Sequence, residues 1–157
     1  MESREMMVIY VDADACPVQA EIVEVAQTLQ QHVVFVKSYA HFSSNDVMIN
    51  ADVIYVDKGK EVADMKIVSL VRKGDFVISQ DYGLASLCIQ KGCIVLHHKG
   101  FQYTPNNIER LLMQRHMQVQ ARRAGKRTKG PKRYTEEEKD KFVQLLTALI
   151  KKHSNAT

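Results

Sequence analysis

Apolar residues along this chain fall into short runs that alternate with longer amphipathic stretches, a pattern typical of strands separated by helices. The apolar runs predict strands at 6–11, 32–36, 53–56, 76–79 and 93–96. Apolar residues at helical spacing predict helices at 17–30, 61–72, 82–90, 105–122 and 136–152. A further short helix is expected to begin near Ser43 or Ser44. The strands are almost uniformly apolar, which indicates that both faces of the sheet are covered.

This alternation predicts an α/β fold, a three-layer α/β/α sandwich around a mainly parallel five-stranded sheet. The pattern changes after Gly100, where Thr104 and Pro105 open a long helix that a Gly-punctuated linker separates from the last helix. Thr135 and Glu138 have the spacing of a capping box for that last helix. We therefore expect an α/β domain over 1–122. The remainder, 123–157, is expected to be a C-terminal helical extension, with a basic linker and a helix that packs on the domain.

Length and composition narrow the class of protein. A chain of 157 residues, 45% hydrophobic and 25% charged, suits one soluble domain with a short appendage. No apolar run approaches the ~18 residues of a membrane span, and no signal-peptide pattern is present. The three cysteines, Cys16, Cys88 and Cys93, lack paired metal-ligand spacing. They favour a reduced cytoplasmic protein, and we expect no membrane partner.

Charge is distributed unevenly along the chain. The net charge is +4, yet nine Lys or Arg and no acid lie between Arg110 and Arg133, which leaves the rest of the chain at −5. This asymmetry indicates an anionic partner, with nucleic acid ahead of a membrane surface. Aromatic residues are sparse there beyond Tyr134, so we predict little base stacking. The residues expected to hold phosphate groups are Arg122, Arg123, Lys126, Arg127, Lys129, Lys132 and Arg133.

Three aspartates stand at the ends of predicted strands. Asp12 and Asp14 close the first strand, and Asp81 follows the fourth. The carboxyl ends of parallel strands meet at one edge of a sheet, where ligands bind in open α/β folds. Asp14 and Asp81 have a second interpretation as caps of the helices that follow them. Asp57, which precedes Lys-Gly, is better explained as a turn residue.

A fourth aspartate, Asp64, interrupts the apolar stripe of a predicted helix. The residues three, four and seven positions further on are apolar: Ile67, Val68 and Val71. Asp64 therefore shares the face that packs on the sheet, and we expect it to point toward the acids at the strand ends. Crowded carboxylates either bind a cation or take up a proton. Oxygen ligands without His or Cys suit Mg²⁺ or Mn²⁺, which can activate water in a nuclease or phosphatase.

Two further features concern the edges of the predicted sheet. His97 and His98 are adjacent on a strand, so their side chains point to opposite faces and do not share a metal easily. We expect them to form a solvated strand end.

The stretch from Tyr39 to Asn45 follows the second strand at the edge where the acids emerge, and it could border the site.

Several motifs resemble the YaiI/YqxD family of uncharacterised bacterial proteins. The sequence Asp-Ala-Asp-Ala-Cys-Pro-Val at 12–18 is similar to the opening signature of that family. Residues 59–64 resemble its Gly-x-x-x-Ala-Asp step, and 79–85 resemble its Thr-x-Asp-x-x-Leu-Ala step, with Ser79 in place of the Thr. The C-terminal element of the family is similar to Gly130-Pro131-Lys132 with Phe142 and Leu146. The resemblance covers nearly the whole chain.

The resemblance implies a PIN-like domain, because the family is grouped with the PIN-like metal-dependent ribonucleases. By position it implies that Asp12, Asp64 and Asp81 are the catalytic acids and that Asp14 is an additional metal ligand. Ser79 would contact the substrate beside them. It also makes RNA a more probable partner than DNA. No acid lies at 82–91, where many PIN nucleases have another, so a two-metal site has less support.

The leading hypothesis is a metal-dependent nuclease that acts on RNA. It would hold Mg²⁺ or Mn²⁺ with Asp12, Asp14, Asp64 and Asp81, while the basic segment holds the phosphate backbone. One alternative is a phosphatase of the haloacid-dehalogenase type, with Asp12 as nucleophile and Asp14 as acid. That type has a hydroxyl side chain two residues after the second Asp, where this chain has Cys16. Another is a non-catalytic RNA- or ribosome-binding protein. A homo-oligomer is compatible with each hypothesis.

Overall fold

The computed structural model describes residues 7–42, 51–127 and 133–154. The strands in these residues are β1 Val8–Asp12, β2 His32–Ser38, β3 Asp52–Val56, β4 Phe76–Ile78, β5 Ile94–His97 and β6 Phe101–Tyr103. The α-helices are α1 Gln19–Thr28, α2 Lys60–Leu70, α3 Tyr82–Gln90, α4 Pro105–Arg123 and α5 Glu136–Ser154. Single turns of 3₁₀-helix, Ala13–Ala15 and Tyr39–His41, follow β1 and β2.

The strands form one sheet in the order β3-β2-β1-β4-β5-β6. Neighbouring strands from β3 to β5 are parallel, and β6 is antiparallel to β5. The strand order reverses between β1 and β4, because β2 lies on one side of this junction and β5 on the other. In open α/β sheets, such a reversal opens a crevice at the carboxyl ends of the two strands.

Helices α1 and α5 cover one face of the sheet. Ile22 from α1 and Phe142 and Leu146 from α5 are buried in the same core as Val11 of β1 and Phe35 of β2. Alternate residues along each strand point to this face, as the two-residue period of a strand requires. The last helix is therefore part of the core on this face of the sheet and does not form a separate layer.

Helices α2, α3 and α4 cover the opposite face. Ile67, Leu84 and Ile108, one from each helix, are buried with Tyr10 of β1 and Val77 of β4. The predicted three-layer α/β/α sandwich is thus confirmed. Within the described ranges, no helix combines the length and the apolar character needed to cross a bilayer.

The sheet has a sixth strand that the sequence pattern did not predict. β6 has only three residues, too few for a recognisable alternation, and it pairs with β5 through a tight turn in which Phe101 lies opposite His97. Gly100 has a φ of +99° in this turn, and a Cβ there would lie 2.8 Å from Cγ of Lys141. Only glycine satisfies both conditions, so the turn depends on this residue.

Several predicted boundaries differ from those observed. α1 begins at Gln19 rather than near Pro17, because a 3₁₀ turn and a second turn at Pro17 and Val18 occupy the residues after β1. The capping box of α5 is confirmed, since Glu138 N–H donates to Thr135 Oγ1 at 3.1 Å and Thr135 N–H donates to Glu138 Oε1 at 3.1 Å. The short helix predicted near 43–44 lies outside the described residues.

Replacing Leu146 with Ala should lower the free energy of unfolding by about 2–5 kcal/mol, since it leaves a cavity in the core that α5 shares with β1. The matched control is Gln144→Ala, an exposed position on the same helix, which should change stability by less than about 0.5 kcal/mol. Urea denaturation monitored by circular dichroism measures both values. Equal midpoints for the two variants would mean that α5 contributes no core packing.

Candidate active site

The ends of β1 and β4 are joined by a serine hydroxyl. Val11 is paired with Ile78 across the two strands, so the next residues, Asp12 and Ser79, are level with each other. Ser79 Oγ donates to Asp12 Oδ2 at 3.0 Å and accepts from the backbone N–H of Asp81 at 2.9 Å. Ser79 is 2% exposed. The hydroxyl therefore fixes the orientation of Asp12 relative to the turn that carries Asp81.

Asp81 caps helix α3, as one of the two sequence interpretations proposed. Its Oδ1 accepts the backbone N–H of Leu84 at 2.8 Å, and its side chain is largely buried, with the residue 8% exposed. Gly83 lies close to this oxygen, since a Cβ there would be 3.2 Å from Asp81 Oδ1. Tyr103 on β6 supports the same turn, because its hydroxyl donates to the carbonyl oxygen of Ser79 at 3.1 Å.

Asp14 points away from Asp12, toward β2. The 3₁₀ turn at Ala13–Ala15 directs its carboxylate to the backbone N–H of Ser38, which lies 3.0 Å from Oδ1. His41 Nδ1 is 3.1 Å from the same oxygen. The interpretation of Asp14 as the cap of the next helix was wrong, because α1 has no side-chain cap. Asp14 is therefore hydrogen-bonded toward β2, whereas Asp12 is hydrogen-bonded toward β4.

Asp64 lies near the beginning of α2, on the face that packs on the sheet. Ile67 and Val71 of this face are buried, as the apolar stripe predicted, and Oδ1 of Asp64 is itself below the surface. Its negative charge acts on Cys88 of α3 and helps to raise the pKa of that thiol, after a hydrogen bond to Cys93 and burial. In the described part of the chain, no three His, Cys, Asp or Glu side chains are arranged to hold a metal ion together. The four aspartates thus do not form a preassembled metal cage.

A cleft of about 260 Å³ lies beside the Asp81 turn. Its lining residues come from the start of α3 and from α4: Gln80, Asp81, Tyr82, Gln114, Arg115 and Gln118. Arg115 was counted in the basic segment but was not predicted as a site residue. Since β6 reverses the direction of the chain, α4 runs alongside α3, and Arg115 lines the same cleft as Asp81.

The other basic residues predicted to hold phosphate lie further along the chain. Arg122 and Arg123 form the last turn of α4, two turns beyond Arg115, and are exposed. Those that follow in the described ranges, Lys126, Arg127 and Arg133, are exposed as well. Lys129 and Lys132 lie outside the described residues. The described basic residues predicted to hold phosphate are therefore exposed at the end of α4 and in the chain that follows it.

His97 and His98 are buried, so the expectation of a solvated strand end was wrong. The antiparallel β6 folds back over β5, and Phe101 stacks on His97 with ring centroids 4.9 Å apart. His97 Nδ1 accepts the backbone N–H of Lys99 at 3.0 Å. Burial, followed by the nearby His98 and Lys99, lowers the pKa of His97 to about 3. Both side chains belong to the core at this end of the sheet.

The fold and this site define an α/β protein in which Asp12 and Asp81 are linked through Ser79, at the point where the strand order of the sheet reverses. The chain belongs to the YaiI/YqxD family, described as uncharacterised, whose model matches residues 10–152. A UPF0178 protein of Bacillus cereus strain Q1 is 51% identical over 144 residues, 92% of this chain and 99% of the relative. A second, from Bacillus mycoides strain KBAB4, is 49% identical over the same shares. No solved structure matches the chain significantly.

Substituting Ser79 with Ala should destabilise the protein by roughly 1–3 kcal/mol, because it removes the two hydrogen bonds that this buried hydroxyl makes with Asp12 and with the N–H of Asp81. Ser79→Thr keeps the hydroxyl and should retain more of the stability. Thermal or urea unfolding of the two variants provides the measurement. If Ser79→Ala were as stable as the wild type, the hydroxyl would not couple Asp12 to the Asp81 turn.

The buried, neutral His97 predicts a loss of stability in acid. The unfolded chain takes up a proton near pH 6.5 and the folded chain only near pH 3, so the unfolded state binds more protons between these values. The free energy of unfolding should therefore decrease as the pH falls below 6.5, by up to about 1.4 kcal/mol per pH unit.

Urea midpoints at pH 7 and pH 5 test this dependence. His97→Asn should show a weaker pH dependence than the wild type, whereas His116→Asn, at an exposed position on α4, should keep the wild-type dependence. The prediction is contradicted if His97→Asn and the wild type lose equal stability between the two pH values.

Proposed function

We propose that this protein hydrolyses phosphodiester bonds in RNA with a divalent cation, Mg²⁺ or Mn²⁺, bound at Asp12 and Asp81. The observation that carries the proposal is the hydrogen-bonded series Asp12–Ser79–Asp81 beside a cleft that contains Arg115. This arrangement lies at the switch point of the sheet, the usual ligand position in α/β folds. The resemblance of the family to PIN-like ribonucleases supports the same two acids.

Two carboxylates suit a magnesium-type site. Mg²⁺ is commonly bound through one or two carboxylates, with water and substrate phosphate completing the octahedron. Asp12 and Asp81 offer only oxygen ligands, which favours Mg²⁺ or Mn²⁺ over Zn²⁺. When bound, such an ion lowers the pKa of a coordinated water and stabilises charge on a phosphoryl oxygen. We propose that Asp14 and Asp64, the other acids predicted as ligands, add negative charge around the ion without coordinating it directly.

The residues of the chain have distinct roles in this proposal. Ser79 holds the Asp12 carboxylate in one orientation through its 3.0 Å hydrogen bond. Arg115 binds a phosphate group in the cleft, where a guanidinium presents several donors to its oxygens. Arg122 and Arg123 extend this contact along the RNA backbone. Binding should therefore weaken as the salt concentration rises.

The phosphatase alternative requires Asp12 and Asp14 to act on one phosphoryl group. Their carboxylates instead hydrogen-bond to opposite neighbours, Ser79 after β4 and Ser38 at the end of β2. This divergence favours the nuclease over the phosphatase. A non-catalytic RNA-binding protein remains the second candidate, since the exposed basic residues at the end of α4 and after it support it equally well.

A cleavage assay with labelled single-stranded RNA in Mn²⁺, Mg²⁺ or EDTA tests the proposal. The wild type should cleave in the presence of either ion and not in EDTA. Asp12→Asn and Asp81→Asn should each reduce the rate by more than about tenfold, because even outer-shell changes at metal sites cost about 10- to 100-fold. Asp57→Asn is the matched control, since Asp57 is an exposed acid after β3.

Asp12→Asn cleaving as fast as wild type would refute this proposal, as would cleavage in EDTA. Salt-sensitive RNA binding without cleavage in either ion would refute the nuclease in favour of the RNA-binding protein. Melting curves of each variant separate a loss of activity from a loss of fold. Asparagine keeps an acceptor for Ser79, so Asp12→Asn is expected to fold.

A further inference from the structure

Three aromatic rings, two of them exposed and one half-buried, form a cluster at the ends of β2 and β3. Tyr39 stacks on Tyr55 with ring centroids 5.6 Å apart and planes inclined by 18°. Phe42 contacts the same ring at 5.5 Å. Tyr39 and Phe42 are each 62% exposed, and no other Phe or Tyr side chain in the described part of the chain is as exposed. Large apolar rings presented to solvent as a cluster are typical of a binding surface.

The register of the sheet places this cluster near Asp12, at the carboxyl edge of the strands. Asp12 is level with Val36, which is level with Ile54, so Tyr55 lies one residue further toward the edge where Asp12 emerges. Two strand spacings separate β3 from β1, a lateral distance of about 10 Å. Side chains alternate along a strand, so Tyr55 is on the α1/α5 face with Val53, and Ser79 is on the other face with Val77. A ligand that contacts both must cross the carboxyl edge of the sheet.

Hydrogen bonds around Asp14 hold the cluster in place. Asp14 accepts from the backbone N–H of Ser38 at 3.0 Å and lies 3.1 Å from His41 Nδ1. His41 Nδ1 is also 3.0 Å from Ser38 Oγ. These contacts tie the single turn Tyr39–His41 to Asp14 in the 3₁₀ turn that follows β1. The rings are therefore oriented before a ligand binds, which reduces the entropy lost on binding.

We propose that Tyr39, Phe42 and Tyr55 form an aromatic platform that stacks unpaired bases of single-stranded RNA. The inference deepens the proposed nuclease function and rests on it for the identity of the ligand. Unpaired bases can stack on aromatic side chains, whereas the bases of a duplex already stack on each other. Such stacking tolerates any base, so the platform selects single strands without selecting a sequence.

The platform also changes the expectation about base stacking. The sequence predicted little stacking because aromatic residues are sparse in the basic segment. In the structure, the aromatic rings lie on the β3 side of Asp12, whereas Arg115 lies beside Asp81, which follows β4. A single strand would then have its bases on the platform and its phosphates against α4, with Asp12 and Asp81 between them.

Equilibrium binding in EDTA, measured by fluorescence anisotropy, tests the platform without cleavage. The probes are a labelled single-stranded RNA and the same strand in a duplex. Tyr39→Ala/Phe42→Ala should bind the single strand at least about tenfold more weakly, since stacking contributes substantially for each base. Tyr39→Phe/Phe42→Tyr retains both rings and should bind as the wild type does. Met65→Ala, at a position that is 64% exposed on α2, controls for the loss of an exposed apolar side chain.

Three results would overturn the platform. The first is wild-type affinity of the alanine variant for the single strand, and the second is no binding of the single strand by the wild type itself. The third is an equal loss of affinity for the single strand and the duplex. Cleavage with Mn²⁺, measured separately, distinguishes the two proposals. Ring-dependent binding without cleavage would refute the nuclease and support the platform, whereas cleavage with ring-independent binding would refute the platform alone.

Discussion

The hydroxyl of Ser79 is the constraint on which the candidate site depends. It donates to Asp12 and accepts from the N–H of Asp81, so it connects strand ends that are 67 residues apart along the chain. A hydroxyl can donate and accept at once, which neither an aliphatic side chain nor an ionised carboxylate can do. Because Asp81 also caps α3, the same set of hydrogen bonds sets the start of that helix.

Much of the fold was predictable because its determinants are local. Runs of apolar residues define the five parallel strands, and the limits of α3 matched their prediction, since Asp81 caps one end. The sixth strand was missed because three residues cannot show a period of two. The strand order was also beyond the sequence pattern, because pairing in a sheet depends on contacts between distant segments.

The candidate site was predictable only where strand ends determine it. Asp12 and Asp81 were expected at one edge because both follow parallel strands. The separation of Asp14 from Asp12 was not, since it depends on a 3₁₀ turn that redirects one carboxylate toward β2. Arg115 was missed because its approach to Asp81 requires the chain reversal at β6. Such effects come from tertiary structure, and no single segment encodes them.

The contact between α5 and β1 has a consequence for how the chain folds during synthesis. β1 is the first described element to leave the ribosome and occupies the middle of the sheet, yet α5 covers part of it and emerges after every other described element. Until then, the apolar side chains that pack against Phe142, Leu146 and Ile150 lack their partners. Exposed apolar surface on a partly folded chain promotes aggregation. One face of this sheet can therefore be completed only after translation of α5, and a nascent chain stalled before α5 would be a natural client for a chaperone.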